Sequence, residues 1–258
     1  MTVHLERPAD HVAELVMDRA PANAISTAQA ETFIERFATV AADPTIRAVV
    51  LSSALTKGFS AGADLKERNT FTEDQLRAQR EVFRTCFAAL RALPMPVVAA
   101  VDGYAMGGGF ELALGCDLIV AGAGATFALP EIGVGVIPGG GGTQLLSRRV
   151  GLNRAADLIF TCRRIDAAEA ATIGAVDRSV EAGRAREAAV ELAATIATRS
   201  PVGARAAKRA LNQGYDVPLA QGMELEHEGW AETAFSPDRI EGIAAFNEKR
   251  APRWADPQ

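Results

Sequence analysis

The run Val97-Val98-Ala99-Ala100-Val101 does most to limit how this chain can fold. Pro94 and Pro96 bound it on one side and Asp102-Gly103 on the other, so it is too short and too β-branched for a helix. An apolar run of this length between turn signals reads as a strand covered on both faces, the habit of parallel sheets flanked by helices. Gly107-Gly108-Gly109 comes next, then a helical segment from Phe110 to Gly115 and a further strand from Asp117 to Ala121. Strand, tight glycine turn, helix and strand make a βαβ signature and place the chain in the α/β class.

The flanking sequence extends this pattern. His11 to Met17 reads as a strand, and Ala48 to Leu51 as a short buried one. Ser26-x-x-Gln29 and Thr72-x-x-Gln75 are capping boxes that each open a helix. Behind the first, Ala30, Phe33, Ile34, Phe37 and Ala41 recur at helical spacing; behind the second, Leu76, Phe83, Cys86, Phe87 and Leu90 form one stripe. Lys57 to Asn69 reads as a polar, glycine-containing loop. From Asn153 onward the pattern is nearly all helical and Ala-rich, and Ser200-Pro201 and Ser236-Pro237 each set an N-cap before a proline at the first helical position. No internal repeat or linker is visible. The expected organisation is a core domain over residues 1–195 that carries the site, followed by a helical C-terminal region over 196–258. That region is long for an appendage, so it is expected to pack on a neighbour or to cover a site.

Composition narrows the function. With 258 residues, 48% hydrophobic and 23% charged, the chain can bury a full core without disulfides or metals. A net charge of -5 argues against general nucleic-acid binding. Cys86, Cys116 and Cys162 are an odd number without CxxC spacing, and the N-terminus lacks a charged-then-apolar leader, so a reducing, cytoplasmic setting is expected. The most apolar stretch, residues 97–122, is interrupted by Asp102, Glu111 and Asp117, unlike a membrane span.

The glycine turn leaves several chemistries open. A dinucleotide fingerprint fails because position 112 is Leu, and neither glycine cluster supplies the GK[ST] of a P-loop. His4, His11 and His227 lie near no GxSxG, and no zinc spacing is present. What remains is a helix start whose free N–H groups suit a phosphate or a carbonyl gaining negative charge, or glycines that merely permit tight packing. Two carboxylates sit in apolar settings, Glu111 in the first turn of the helix and Glu131 after Phe127-Ala128-Leu129-Pro130. Singly, Glu111 reads as helix-dipole stabilisation and Glu131 as a cap. Together, beside such a turn, they suggest an acid/base pair with pKa values pushed apart.

In this order the motifs resemble the crotonase superfamily, and within it the enoyl-CoA hydratases. The segments that carry the resemblance are Phe59-Ser60-Ala61-Gly62-Ala63-Asp64-Leu65-Lys66, Val101 to Ala113, Cys116-Asp117, Pro130 to Gly133 and Ile137 to Thr143, with Glu241-Gly242 and Phe246-x-Glu248-Lys249-Arg250 near the end. The resemblance implies a ββα spiral core of two stacked sheets and a helical C-terminal region that makes a homotrimer or homohexamer. It implies an oxyanion hole from the Ala63 and Gly108 N–H groups, and substrate binding along Ala61, Ala63, Asp64, Leu65 and Lys66, with Lys249 reaching a neighbouring subunit's CoA. It also implies that Glu111 activates water and Glu131 delivers a proton. The expected partner is an acyl-CoA thioester; no separate cofactor is implied, because coenzyme A enters as part of the substrate, and neither metal, nucleic acid nor membrane is expected. Leu145 departs from the pattern, since many hydratases have Arg there. An enoyl-CoA isomerase, a hydratase of a branched or dicarboxylic acyl-CoA, and a non-catalytic acyl-CoA or RNA binder are the alternatives.

Overall fold

A computed structural model describes residues 2–256. The chain opens with β1 (Val3–Ala9), β2 (Val12–Met17), α1 (Thr27–Ala42), β3 (Ala48–Ser53), β4 (Gly58–Ser60), the single turn α2 (Leu65–Arg68) and α3 (Glu73–Arg91). Its middle holds β5 (Val97–Val101), β6 (Tyr104–Met106), α4 (Gly108–Leu114), β7 (Leu118–Gly122), β8 (Thr126–Ala128), a 3-10 turn at Glu131–Val134 and α5 (Gly142–Val150). There follow α6 (Leu152–Thr161), β9 (Ile165–Asp166), α7 (Ala167–Thr172), β10 (Arg178–Val180), α8 (Ala185–Ala197), α9 (Pro201–Gly214), α10 (Leu219–Ala234) and α11 (Pro237–Glu248).

The strands form two sheets, a six-stranded one in the order β1-β2-β3-β5-β7-β10 and a four-stranded one in the order β4-β6-β8-β9. Each of β3, β5 and β7 in the first sheet is followed by β4, β6 and β8 in the second, and then by helical structure. The pairings β3–β5, β5–β7, β4–β6 and β6–β8 are all parallel, so the chain advances one strand in each sheet per ββα turn. This is a spiral α/β core. The simple βαβ reading is corrected in one respect: β6 intervenes, so the glycine turn leaves the small sheet rather than β5.

The central strands of the large sheet, β2, β3, β5 and β7, are buried on both faces. Val49, Leu51, Val97, Ala99, Val101, Ile119 and Ala121 face a core shared with Phe33, Phe37, Phe110 and Phe127. The alternate residues Val12, Ala48, Val50, Val98, Ala100 and Val120 pack against Ala185, Ala189, Leu192 and Ala193 of α8. Such alternation follows from the two-residue period of a strand.

Both capping sites open helices. Thr72 and Gln75 exchange both bonds, whereas Ser26 accepts from the Gln29 N–H without the return bond, since the buried Gln29 amide has no partner. Local expectations shift in four places. The α1 stripe runs Ala30, Phe33, Phe37, Val40, and Ala41 is exposed, because a 3.6-residue period carries the inward face to 40. Leu76 is 46% exposed; the inward place one turn later belongs to Gln79, whose amide is fully engaged. The segment read as a loop over 57–69 contains β4 and α2, and the helical stretch after Asn153 contains β9 and β10. β1, antiparallel to β2, is an edge strand whose exposed face hides its period.

The boundary expected at 195/196 falls in the last turn of α8. Beyond it, α9 is clamped to the core by Lys208, whose Nζ donates to the Met95 carbonyl (2.9 Å) and to Asp117 Oδ2 (2.7 Å). Leu219, Trp230, Phe235 and Phe246 on α10, α11 and their connection stay exposed in the single chain.

Candidate active site

The small sheet aims β4 and β6 at one spot. From β6 the chain enters α4 through Gly107, whose φ of 53° and ψ of -126° suit glycine. A Cβ there would lie 2.7 Å from Glu131 Oε1, so the absent side chain also makes room for that carboxylate. At Gly109 a Cβ would meet the Ser60 carbonyl at 2.3 Å; here the packing role is the right one, and it seats α4 directly on β4.

Between these glycines the Gly108 N–H has no acceptor among the described residues. The Ala63 N–H has none either, although its neighbours are tied down on both sides. Ile25 N–H donates to the Gly62 carbonyl (2.7 Å) and Asp64 N–H to the Ile25 carbonyl (2.9 Å). Gly62 N–H donates to Ser60 Oγ (3.1 Å), and Ser60 Oγ donates to the Asn23 carbonyl (2.7 Å). A Cβ built on Gly108 would stand 3.6 Å from the Ala63 nitrogen, so the two free donors open on one space. Backbone N–H groups are otherwise almost always paired in folded proteins, so two orphans side by side form a ready receptor for an oxyanion.

Glu111, 3% exposed, lies one turn into α4. Its Oε1 accepts from Gly140 N–H and Gly142 N–H, both at 2.7 Å. Gly139–Gly142 thus wraps Glu111, because the start of α5 leaves N–H groups that a carboxylate satisfies. Arg80 Nη1 donates to the Gly139 carbonyl (2.7 Å) and Arg91 Nη1 to the Gly140 carbonyl (3.4 Å), holding this loop from outside. Burial pushes the Glu111 carboxyl up; the bonds from Gly142, Gly140 and Gly141 and the charge of Arg80 oppose it. Leu145, the departure noted above, packs on the core behind this loop.

Glu131 opens the 3-10 turn after Pro130. Its Oε2 is buried with no hydrogen-bond partner. Burial, and then the nearby Glu111 charge, push its carboxyl up to about 7, against a smaller opposing pull from Arg68. The structure thus brings Glu111, Glu131, Ala63 and Gly108 together.

The remaining residues expected at the site have other settings. Asp64 caps α2, accepting from Lys66 N–H (3.1 Å) and Glu67 N–H (3.2 Å), and pairs with Arg19 at 2.7 Å, so its carboxyl is held below the usual range. Ala61, Leu65 and Lys66 are exposed along the loop, and Lys249 is exposed at the end of α11 in the left-handed conformation. Asn23, Arg68, Arg80 and Arg91 were not expected; their sequence surroundings carry no motif. Among the described residues no group of three or more His, Cys, Asp or Glu stands where it could hold a metal ion.

Residues 7–257 match the family model described as Enoyl-CoA hydratase/isomerase. A probable mitochondrial enoyl-CoA hydratase 2 of Arabidopsis thaliana is 41% identical over 244 residues, 94% of this chain and 81% of the plant protein. The human mitochondrial methylglutaconyl-CoA hydratase is 37% identical over 256 residues, 97% of this chain and 76% of the human one. The crystal structure of an enoyl-CoA hydratase from Bacillus anthracis superposes with a TM-score of 0.97 at 38% identity, covering 100% of both chains. Fold and site thus define a crotonase-superfamily protein. More narrowly, the chain belongs to the enoyl-CoA hydratase/isomerase family.

Proposed function

We propose that this protein is an enoyl-CoA hydratase, adding water reversibly across the 2,3 double bond of a 2-enoyl-CoA thioester. The observation that carries this reading is the pair of unlike glutamates beside two unpaired backbone donors. The thioester oxygen sits between the Ala63 and Gly108 N–H groups. Addition of water at C3 builds enolate charge on that oxygen, and the donors stabilise it; losing one such donor costs about 100- to 1000-fold in rate. Glu111 Oε1 is occupied by two N–H bonds, which leaves Oε2 to take the proton of the attacking water. Glu131, with a carboxyl near 7, supplies a proton to C2 and takes it back in dehydration. An isomerase shuttling one proton between C2 and C4 needs a single carboxyl, so the seating of both glutamates favours hydration. Coenzyme A enters only as part of the substrate.

The reading extends to assembly. A homotrimer or dimer of trimers would cover the exposed side chains of α10 and α11, and multi-angle light scattering reads it directly. For the chemistry, E131Q should lower kcat for crotonyl-CoA hydration by about 100- to 10,000-fold while crotonyl-CoA still binds. Near-normal turnover in that variant removes Glu131 from the mechanism.

A further inference from the structure

The glycine loop that seats Glu111 lies on one stripe of α3. Arg80, Phe87 and Arg91 recur there at helical spacing, and each meets a part of the loop. Arg80 Nη1 donates to the Gly139 carbonyl at 2.7 Å, and Arg91 Nη1 reaches the Gly140 carbonyl at 3.4 Å. A Cβ on Gly140 would stand 2.6 Å from the Phe87 ring, so the loop rests directly on the helix. Neither arginine forms an ion pair with a carboxylate of the described residues.

The Gly139 carbonyl and the Gly140 N–H belong to one planar peptide group. Arg80 therefore holds one end of the peptide whose other end donates to Glu111 Oε1 at 2.7 Å. A cation on the carbonyl polarises the peptide and strengthens the bond made by its N–H. It also opposes a flip. Glycine on both sides lets this peptide rotate, and a rotated peptide would turn an oxygen toward the carboxylate in place of a donor. Arg91 holds the next peptide at longer range, so its part is the smaller. Arg80 is itself exposed, but the turn of α3 that carries it is anchored. The adjacent Gln79, 2% exposed, donates to Thr27 Oγ1 (2.8 Å) and Glu67 Oε2 (2.9 Å) and accepts from Arg68 Nε (2.8 Å).

We propose that Arg80 is a positioning residue for the reaction, holding through the Gly139–Gly140 peptide the N–H that orients the Glu111 carboxylate. This rests on the hydratase reading, in which Glu111 takes a proton from water. Arg80 makes no hydrogen bond to Glu111 itself and acts through the loop. The charged groups that bear on Glu111 are Arg80 and Arg91 of α3, Glu131 of the 3-10 turn and Arg68 at the end of α2, whose guanidinium lies 5.1 Å above the Phe83 ring. Of these, Arg80 pulls the Glu111 carboxyl down against the effect of burial.

The test is crotonyl-CoA hydration across pH by the wild type, R80M and R80K, with thermal melts of R80M, E111Q and the double variant. In R80M, kcat should fall about 10-fold at unchanged KM. The acidic limb of kcat/KM, where Glu111 gains its proton, should move to higher pH by about half a unit. R80K keeps a cation for the carbonyl and should recover part of the rate. At pH 8, R80M should lower the melting temperature of the wild type more than that of E111Q, which offers the peptide no charge to meet. A rate and pH profile in R80M that match the wild type overturn the proposal. So does an equal drop in melting temperature in both backgrounds, which would make Arg80 a brace for the loop with no link to Glu111. If the two backgrounds differ as expected while the wild type hydrates no member of a graded panel of 2-enoyl-CoA thioesters, the link from Arg80 to Glu111 survives and the hydratase reading falls.

Discussion

The loop at Gly139–Gly142 and the turn at Glu131–Val134 each seat one glutamate, and they do so in opposite ways. The first surrounds Glu111 with N–H donors and braces itself on Arg80 and Arg91. The second gives Glu131 no donor from another residue and leaves Oε2 buried and bare. Donors to a carboxylate favour the ion, whereas an apolar wall and a neighbouring negative charge favour the acid. Two side chains of one type are thereby prepared as base and acid by their surroundings alone, the same division of labour seen wherever paired carboxylates hold unequal environments.

Substitutions that keep shape but remove the proton are the sharpest way to break this comparison. E111Q can still accept from Gly140 and Gly142 through its amide oxygen, but it cannot take a proton from water. Its kcat should fall about 100- to 10,000-fold, read in a crotonyl-CoA absorbance assay. Activity close to wild type would mean that the donor-rich seat is structural only. A somewhat smaller loss is expected from the receptor itself. At Gly62, with φ of 82°, a Cβ would stand 2.6 Å from the Met106 carbonyl and 2.9 Å from the Gly108 nitrogen. G62A should therefore cost about 100- to 1000-fold in kcat, with both glutamates untouched. A variant that folds and retains its rate would show that Gly108 is not the donor.

The pH profile tests the inequality of the two seats. Hydration and dehydration both use the pair carrying a single proton, so kcat/KM should fall in both directions above pH about 7, by about tenfold per unit, as Glu131 ionises. A profile flat to pH 9 would show that the reaction does not depend on a Glu131 proton lost near pH 7, and would dissolve the contrast.

Much of this was legible before any coordinates. The strand at Val97–Val101 and the buried faces of α1 and α3 follow from periodicity, which is local. The pairing of Glu111 with Glu131 follows from two carboxylates in apolar settings beside the glycine turn, whereas Ala63 as a second donor comes only with the resemblance. The sheet alternation was not legible. β4, β6 and β8 are three residues each, and their ladder partners lie on other turns of the spiral, so no local pattern marks them. The grip of Gly139–Gly142 on Glu111 is not legible either, since it spans 29 and 31 residues. Arg68 was invisible for a related reason: its orientation depends on Gln79 and Phe83 of the next helix, and an arginine at the end of a short helix is ordinary on its own.

The smallest expected effect concerns stability, and it separates the two seats without any substrate. The folded-state carboxyl of Glu131, near 7, lies above the ordinary 4.5, so the folded chain holds that proton more tightly than the unfolded one. Relative to a neutral residue, Glu131 costs nothing well below pH about 4.5; the cost builds as pH rises from about 4.5 to about 7 and levels off above that. E131Q should therefore be more stable than the wild type at pH 8 by about 1–2 kcal/mol, after a discount for partial solvent access, and equal to it well below pH about 4.5. In E111Q the lost charge-assisted bonds from Gly140 and Gly142 offset the relief of burial, so its gain at pH 8 should be smaller or reversed. Thermal melts of the two variants across this pH range read the difference. Equal gains in both would mean that the donors around Glu111 do not distinguish its seat from that of Glu131.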